Sequence, residues 1–303
     1  MDNIANIAYY EFAIDVAQEN RKISECLFGA KATRLISESA EYMEAINEGV
    51  ASSVIEFIKN LFQKVIDFFK KLFGAISGKN DSGLPKYAVN HNLIKKCEDK
   101  IKDIKPEDKN AFKLEKANAT AIVDKTLPLV KQIYDKYDKD LNKVMASFES
   151  QIEGKSKYEL YWLNDAEIEK DKEELKRLSD KDYLADGLTD VSFGDISNII
   201  NQYKSSENFM KELRNKLDTA IKKMQEHQKT VEKSKTRLKG EDAKSEEIFN
   251  KVRAYILATT AIMTTAATNE FNLNIKKFNS YESILKKFAA FKSEKEEGKE
   301  GGK

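Results

Sequence analysis

The sequence predicts an all-α protein: an elongated antiparallel bundle of long helices, preceded by a separate amphipathic helix. Three observations carry that prediction. Only 3 Pro and 12 Gly interrupt 303 residues, too few for the frequent turns of a β fold. Charged residues make up 34% and hydrophobic ones 41%, a mixture suited to helices with one apolar and one solvated face. Apolar residues recur over long stretches at helical spacing rather than the alternation of strands. A chain of this length can bury a substantial core in one large or two modest domains.

The first segment, residues 1–48, reads as one or two amphipathic helices. Ile4, Ile7, Phe12 and Val16, then Leu35, Ile36, Tyr42, Met43 and Ile46 recur at helical spacing. The segment holds nine acidic and four basic residues, a net of −5; with +1 for the whole chain, the remainder carries +6. An acidic leader thus precedes a basic body, a pattern that bears on partners rather than on fold.

Gly49 interrupts the pattern, and Ser53 with Glu56 has the spacing of a capping box, which predicts a helix start near residue 52. Over 49–76, Val54, Phe57, Ile58, Leu61, Phe62, Val65, Phe68, Phe69, Leu72, Phe73 and Ile76 fall on one helical face, with Lys59, Lys64, Lys70 and Lys71 mostly opposite. Phe57, Ile58, Leu61, Phe62, Val65, Phe68, Phe69, Leu72 and Phe73 form the candidate binding face. Such a face can pack on the protein's own core, lie in a membrane interface, or dock on other copies within an assembly. Residues 77–86, opening SGKNDSGLP, form a turn-rich linker. A helix tethered by coil can leave the body and find a partner.

A helical bundle is expected over 87–291. Its predicted helices cover about 87–104, 107–153 with a kink at Pro128, and 165–182. A loop is expected over 183–194, with a helix start near Ser192–Asp195 and a long helix at about 205–238 before Gly240. The last helix, about 242–291, carries Ile248, Phe249, Val252, Ile256, Met263, Phe271, Phe278, Ile284, Leu285 and Phe288. The charged, Gly-rich tail 292–303 has nothing to bury and is expected to be disordered.

No catalytic constellation assembles, so the expectation is a non-enzyme without cofactor or metal. His91 and His227 have polar neighbours and no metal spacing, and are expected at the surface. Asp135, Asp138 and Asp140 in YDKYDKD lack the Gly and terminal Glu of a calcium loop; alternation with Lys suits a solvated face laced with ion pairs. Cys26 and Cys97 are far apart and form no CxxC, which supports neither a disulfide framework nor a zinc site and suits a reducing compartment. Tyr158, Tyr161 and Trp162 occur with Glu159 and Asp165, which favours packing at a bundle end over base stacking. Glu11, Asp15 and Glu19 interrupt the N-terminal apolar positions, against a signal peptide. The longest uncharged run, 254–269, is short of the ~20 residues of a membrane span. A soluble chain is expected.

Three Ile-x-Glu triplets occur, Ile23 to Glu25, Ile36 to Glu38 and Ile46 to Glu48, all before residue 49. Their arrangement resembles the prohead-protease sites of large contractile-tailed bacteriophages, where the maturation enzyme cuts after Glu in Ile/Leu-x-Glu, preferably before a small residue. Glu48 before Gly49 matches best, then Glu38 before Ser39, then Glu25 before Cys26. The opening IAYYEFAIDVAQ is similar to the capsid-targeting segments of that family's internal head and core proteins. The resemblance covers the first fifty residues or so and leaves the body unmatched. It implies a precursor made in the host cytoplasm, targeted by residues 1–48, trimmed after Glu48 and located in the virion interior. Its partners would be the prohead protease and other head or core proteins. A basic body would tolerate packaged DNA through weak phosphate contact, although lysines alternating with acids do not make a dedicated nucleic-acid reader. The rival reading is a membrane-active pore former or effector that uses residues 50–76 at a membrane interface, with 254–269 as a second apolar element. A plain coiled-coil scaffold forming a homo-oligomer is the third.

Overall fold

The computed structural model describes residues 51–77, 88–152, 161, 163–234 and 243–291. Among them the protein is all-α but for one two-stranded sheet. The helices are α1 (Ala51–Ser77), α2 (His91–Asp103), α3 (Pro106–Lys109), α4 (Thr120–Ile152), α5 (Asp165–Ser179), α6 (Lys181–Asp186), α7 (Ile196–Ser234) and α8 (Ala243–Ala290). Strands β1 (Lys113–Asn118) and β2 (Thr189–Ser192) pair antiparallel. Two compact units result. The first holds α1, Leu129–Arg177 and Arg214–Glu270; the second holds Tyr87–Pro128, Leu178–Leu213 and the chain from Phe271 onward.

In the first unit α8 is the axis. From Val252 to Glu270 every residue is buried except the half-buried Ala261. Four helices surround this stretch. Arg253 lies over the Phe57 ring of α1 at 5.1 Å, Lys131 of α4 and Lys216 of α7 reach Glu270 at 3.6 and 2.9 Å, and Asn269 Nδ2 donates to the Leu175 carbonyl of α5 at 2.9 Å. A helix buried on every side has no need of a polar face, which accounts for the uncharged run 254–269. Its threonines are satisfied within the helix: Thr259, Thr260, Thr265 and Thr268 donate to the carbonyls of Tyr255, Ile256, Ala261 and Thr264 at 2.8, 2.7, 3.0 and 2.8 Å respectively. No described helix is long and apolar enough to cross a membrane.

The amphipathic helix does not stand apart. α1 runs antiparallel along α7, with Lys59 paired to Glu232 near one end and Phe73 under Arg214 near the other. Ile55, Phe57, Ile58, Leu61, Phe62, Val65, Ile66, Phe69 and Leu72 are all buried. Each fully buried side chain of this size stabilises by about 1.5–3 kcal/mol, and their sum favours docking over a free, tethered helix. α1 begins at Ala51, so Ser53 lies inside it and the expected capping box is not its start.

The second unit packs around Leu93, Ile94, Cys97, Phe112, Val191, Ile196, Ile200, Tyr203, Tyr281, Leu285 and Phe288. α2 starts where its cap dictates: Asn90 Oδ1 accepts the Leu93 N–H at 3.0 Å. The single helix expected over 107–153 is instead α3, β1 and α4. β1 sets Lys113 opposite Ser192 and Leu114 opposite Val191, then slips before Asn118 meets Thr189. Lys116, at φ 43°, sits in that irregularity, and its N–H donates to Asp190 Oδ1 at 2.9 Å. Pro128 lies inside α4 without ending it. The loop expected over 183–194 is also corrected: it contains the end of α6, β2 and a 3₁₀ turn at Phe193–Asp195. Ser192 and Asp195 form a capping box there, and one helix, α7, follows where two were expected. Gly187 ends α6 where a Cβ would stand 2.3 Å from Ile122 Cβ, a space only glycine fits. Expectations for the leader, the linker from 78 and the tail from 292 fall outside the described residues.

Candidate functional site

The nine candidate face residues come together in the first unit, on the surface that α1 turns toward its neighbours. Phe57, Ile58, Leu61, Phe62, Val65, Phe69 and Leu72 are buried, while Phe68 and Phe73 are half-buried on the flanks. The sequence placed all nine on one side of a helix, and their occupant is the protein's own bundle. The processing triplets ending at Glu25, Glu38 and Glu48, with Gly49, lie outside the described residues.

Polar groups frame the apolar contact. Lys59 Nζ stands 2.6 Å from Glu232, and this hydrogen bond raises the lysine above its ordinary value. Gln228 Nε2 donates to the Lys59 carbonyl at 3.2 Å and to Gln63 Oε1 at 3.3 Å. Arg214 lies over the Phe73 ring at 5.5 Å. His227 stacks on Phe62 at 5.8 Å between centroids, and its Nε2 is 3.1 Å from Asn142 Oδ1 of α4. Burial holds this imidazole below its ordinary value. The expectation of two surface histidines therefore fails at His227, which an apolar ring and a neighbouring helix cover, while His91 is exposed. Arg214, His227, Gln228, Glu232 and Arg253 were missed as parts of the site. The available signal was positional: Met224, His227, Gln228 and Val231 share one face of α7.

A second polar cluster binds α4, α7 and α8 together. Glu270 takes Lys216 at 2.9 Å and Lys131 at 3.6 Å, and Lys216 also lies 3.8 Å from the Tyr134 ring centre. Asp135 and Asp138 join it as ion pairs to Lys216 and Lys223, as the alternating sequence suggested. Asp140 pairs within α4, 3.4 Å from Lys143, and is buried as well, accepting the Tyr161 hydroxyl at 2.7 Å. Tyr158 and Trp162 fall outside the described residues. Cys97 is buried, donates to the Leu285 carbonyl at 3.3 Å, and has its thiol pushed up to about 11 by burial; a thiol so placed is a poor nucleophile. Among the described residues, no group of three or more His, Cys, Asp or Glu side chains is placed to hold a metal ion.

These arrangements define a helical-bundle protein whose long amphipathic helix α1 packs on its own core. Comparison with protein-family models, with curated proteins and with solved structures returned no match.

Proposed function

We propose that the chain is a non-enzymatic virion protein, an internal head or prohead-core component of a large tailed bacteriophage, trimmed after Glu48 by the maturation protease. One observation carries this reading beyond the leader's resemblance. All three Ile-x-Glu triplets lie before Gly49 and none follows it, so one cut after Glu48 leaves a chain with no further site of that pattern. The cut also removes −5 and leaves a chain of +6, which eases company with packaged DNA because Lys and Arg near phosphates release condensed counterions. Mass spectrometry of purified particles tests the proposal: the expected N-terminal peptide starts at Gly49, and a persistent peptide containing Met1 overturns it.

For α1 to act on a membrane, its buried face must first leave α7 and α8. Co-sedimentation of residues 49–303 with anionic vesicles at low salt tests that activity. The stored helix is expected to stay in the supernatant at neutral pH.

A further inference from the structure

The contact that stores α1 contains one group able to titrate between neutral and mildly acidic pH. His227 of α7 touches two other helices, through the Phe62 ring of α1, whose plane is inclined 29° to its own, and through Asn142 of α4. An acceptor opposite Nε2 selects the neutral tautomer that carries its proton there, leaving Nδ1 bare. The charged groups facing the ring are Asp138 from α4 and Lys223 and Glu226 from α7. α1 presents the apolar Phe62 at this point, with its ion pair to α7, Lys59–Glu232, three residues earlier on the helix. Asp138 is the larger source of compensation, and it is paired with Lys223. A second proton would sit on a half-buried ring that Asp138 and Glu226 favour and that burial, with Lys223, opposes more strongly.

We propose that His227 is an acid-sensitive pin: its protonation lets α1 part from α7 and α8, exposing the Phe-rich, lysine-flanked face of α1. The Phe62 ring offers an imidazolium some cation–π attraction. Burial opposes the charge more strongly than the carboxylates of Asp138 and Glu226 favour it. The sign follows from linkage. The docked form binds the proton less readily than the open form, so docking is at full strength above the free imidazole value of about 6.5. It weakens as pH falls through that value toward the lower one of the docked ring. The inference is independent of the virion assignment, since it concerns only contacts within the first unit.

Hydrogen-exchange protection factors, corrected for intrinsic rates, test it on the full chain between pH 7.5 and pH 5. In the wild type, residues 55–72 are expected to lose protection relative to α4 as the pH falls. His227→Gln keeps a donor for Asn142 and takes up no proton, so its protection should not change with pH, whatever its starting level. Lys223→Gln removes the like charge and frees Asp138, and should move the midpoint to higher pH. The same pH slope in the wild type and His227→Gln, or a midpoint unmoved in Lys223→Gln, overturns the proposal.

Discussion

Glu270 is a buried carboxylate that ties α8 to α4 and α7. It is 2% exposed and sits at the end of an uncharged run, answered by Lys216 and, more distantly, Lys131. A buried carboxylate is tolerable because it is paired; removing one partner of such a pair leaves the other charge stranded. Glu270→Ala is therefore expected to cost about 3 kcal/mol in urea unfolding. Lys131→Met, whose side chain is 42% exposed, should cost under about 1 kcal/mol by the same measurement. Equal losses in the two variants would show that the carboxylate's burial is not what matters. Gly187 makes a different demand. The obstacle to a side chain there is the Ile122 Cβ itself, which cannot rotate away, so Gly187→Ala should cost about 1–3 kcal/mol through overpacking, seen as a lower midpoint of thermal unfolding. Asp135, Asp138 and Asp140 were legible as ion-pairing residues. The burial of Asp140 was not, since it depends on Tyr161, twenty-one positions further along the chain.

At the scale of elements, α1 shows how far periodicity reaches. The sequence located most of its apolar face, missing the buried Ile55 and Ile66, and the structure buries seven of the nine candidates with two on the flanks. What covers the face could not be read from α1 alone, because an apolar stripe has the same sequence whether it meets lipid, a second copy or its own chain. The prediction is accordingly local. Phe62→Ala, at a fully buried position, should cost about 3–5 kcal/mol and lower exchange protection along α1, whereas the exposed Gln63→Ala should stay within about 0.5 kcal/mol of wild type. Similar losses at both sites would mean that α1 is not docked through this face. The two strands are the opposite case. KLEKAN and TDVS contain one β-branched pair of residues, Thr189 and Val191, and their partners lie some seventy positions apart. Pairing so distant has no local signature, and the helical periodicity of the flanking segments absorbed both strands into a helix and a loop.

For the whole molecule, the prediction concerns the leader. A chain beginning at Gly49 should keep the far-UV helicity per residue and the thermal midpoint of the 51–291 elements, because each of them starts beyond the cut. Collapse of the helical signal in that shortened chain would show that the first 48 residues are part of the fold's foundation. The sequence by itself determined the all-α class and most of the side of α1 that is apolar, since these follow from spacing along a single helix and from the scarcity of Pro and Gly. It also marked a helix start near Ser192–Asp195, whose capping chemistry acts within one turn. Only the tertiary structure decided that α1 is stored on α7 and α8, that the uncharged run of α8 is a bundle axis, and that His227 is enclosed between Phe62 and Asn142. The reason is physical: burial is a property of pairs of surfaces, and each of those pairs joins residues that are distant along the chain.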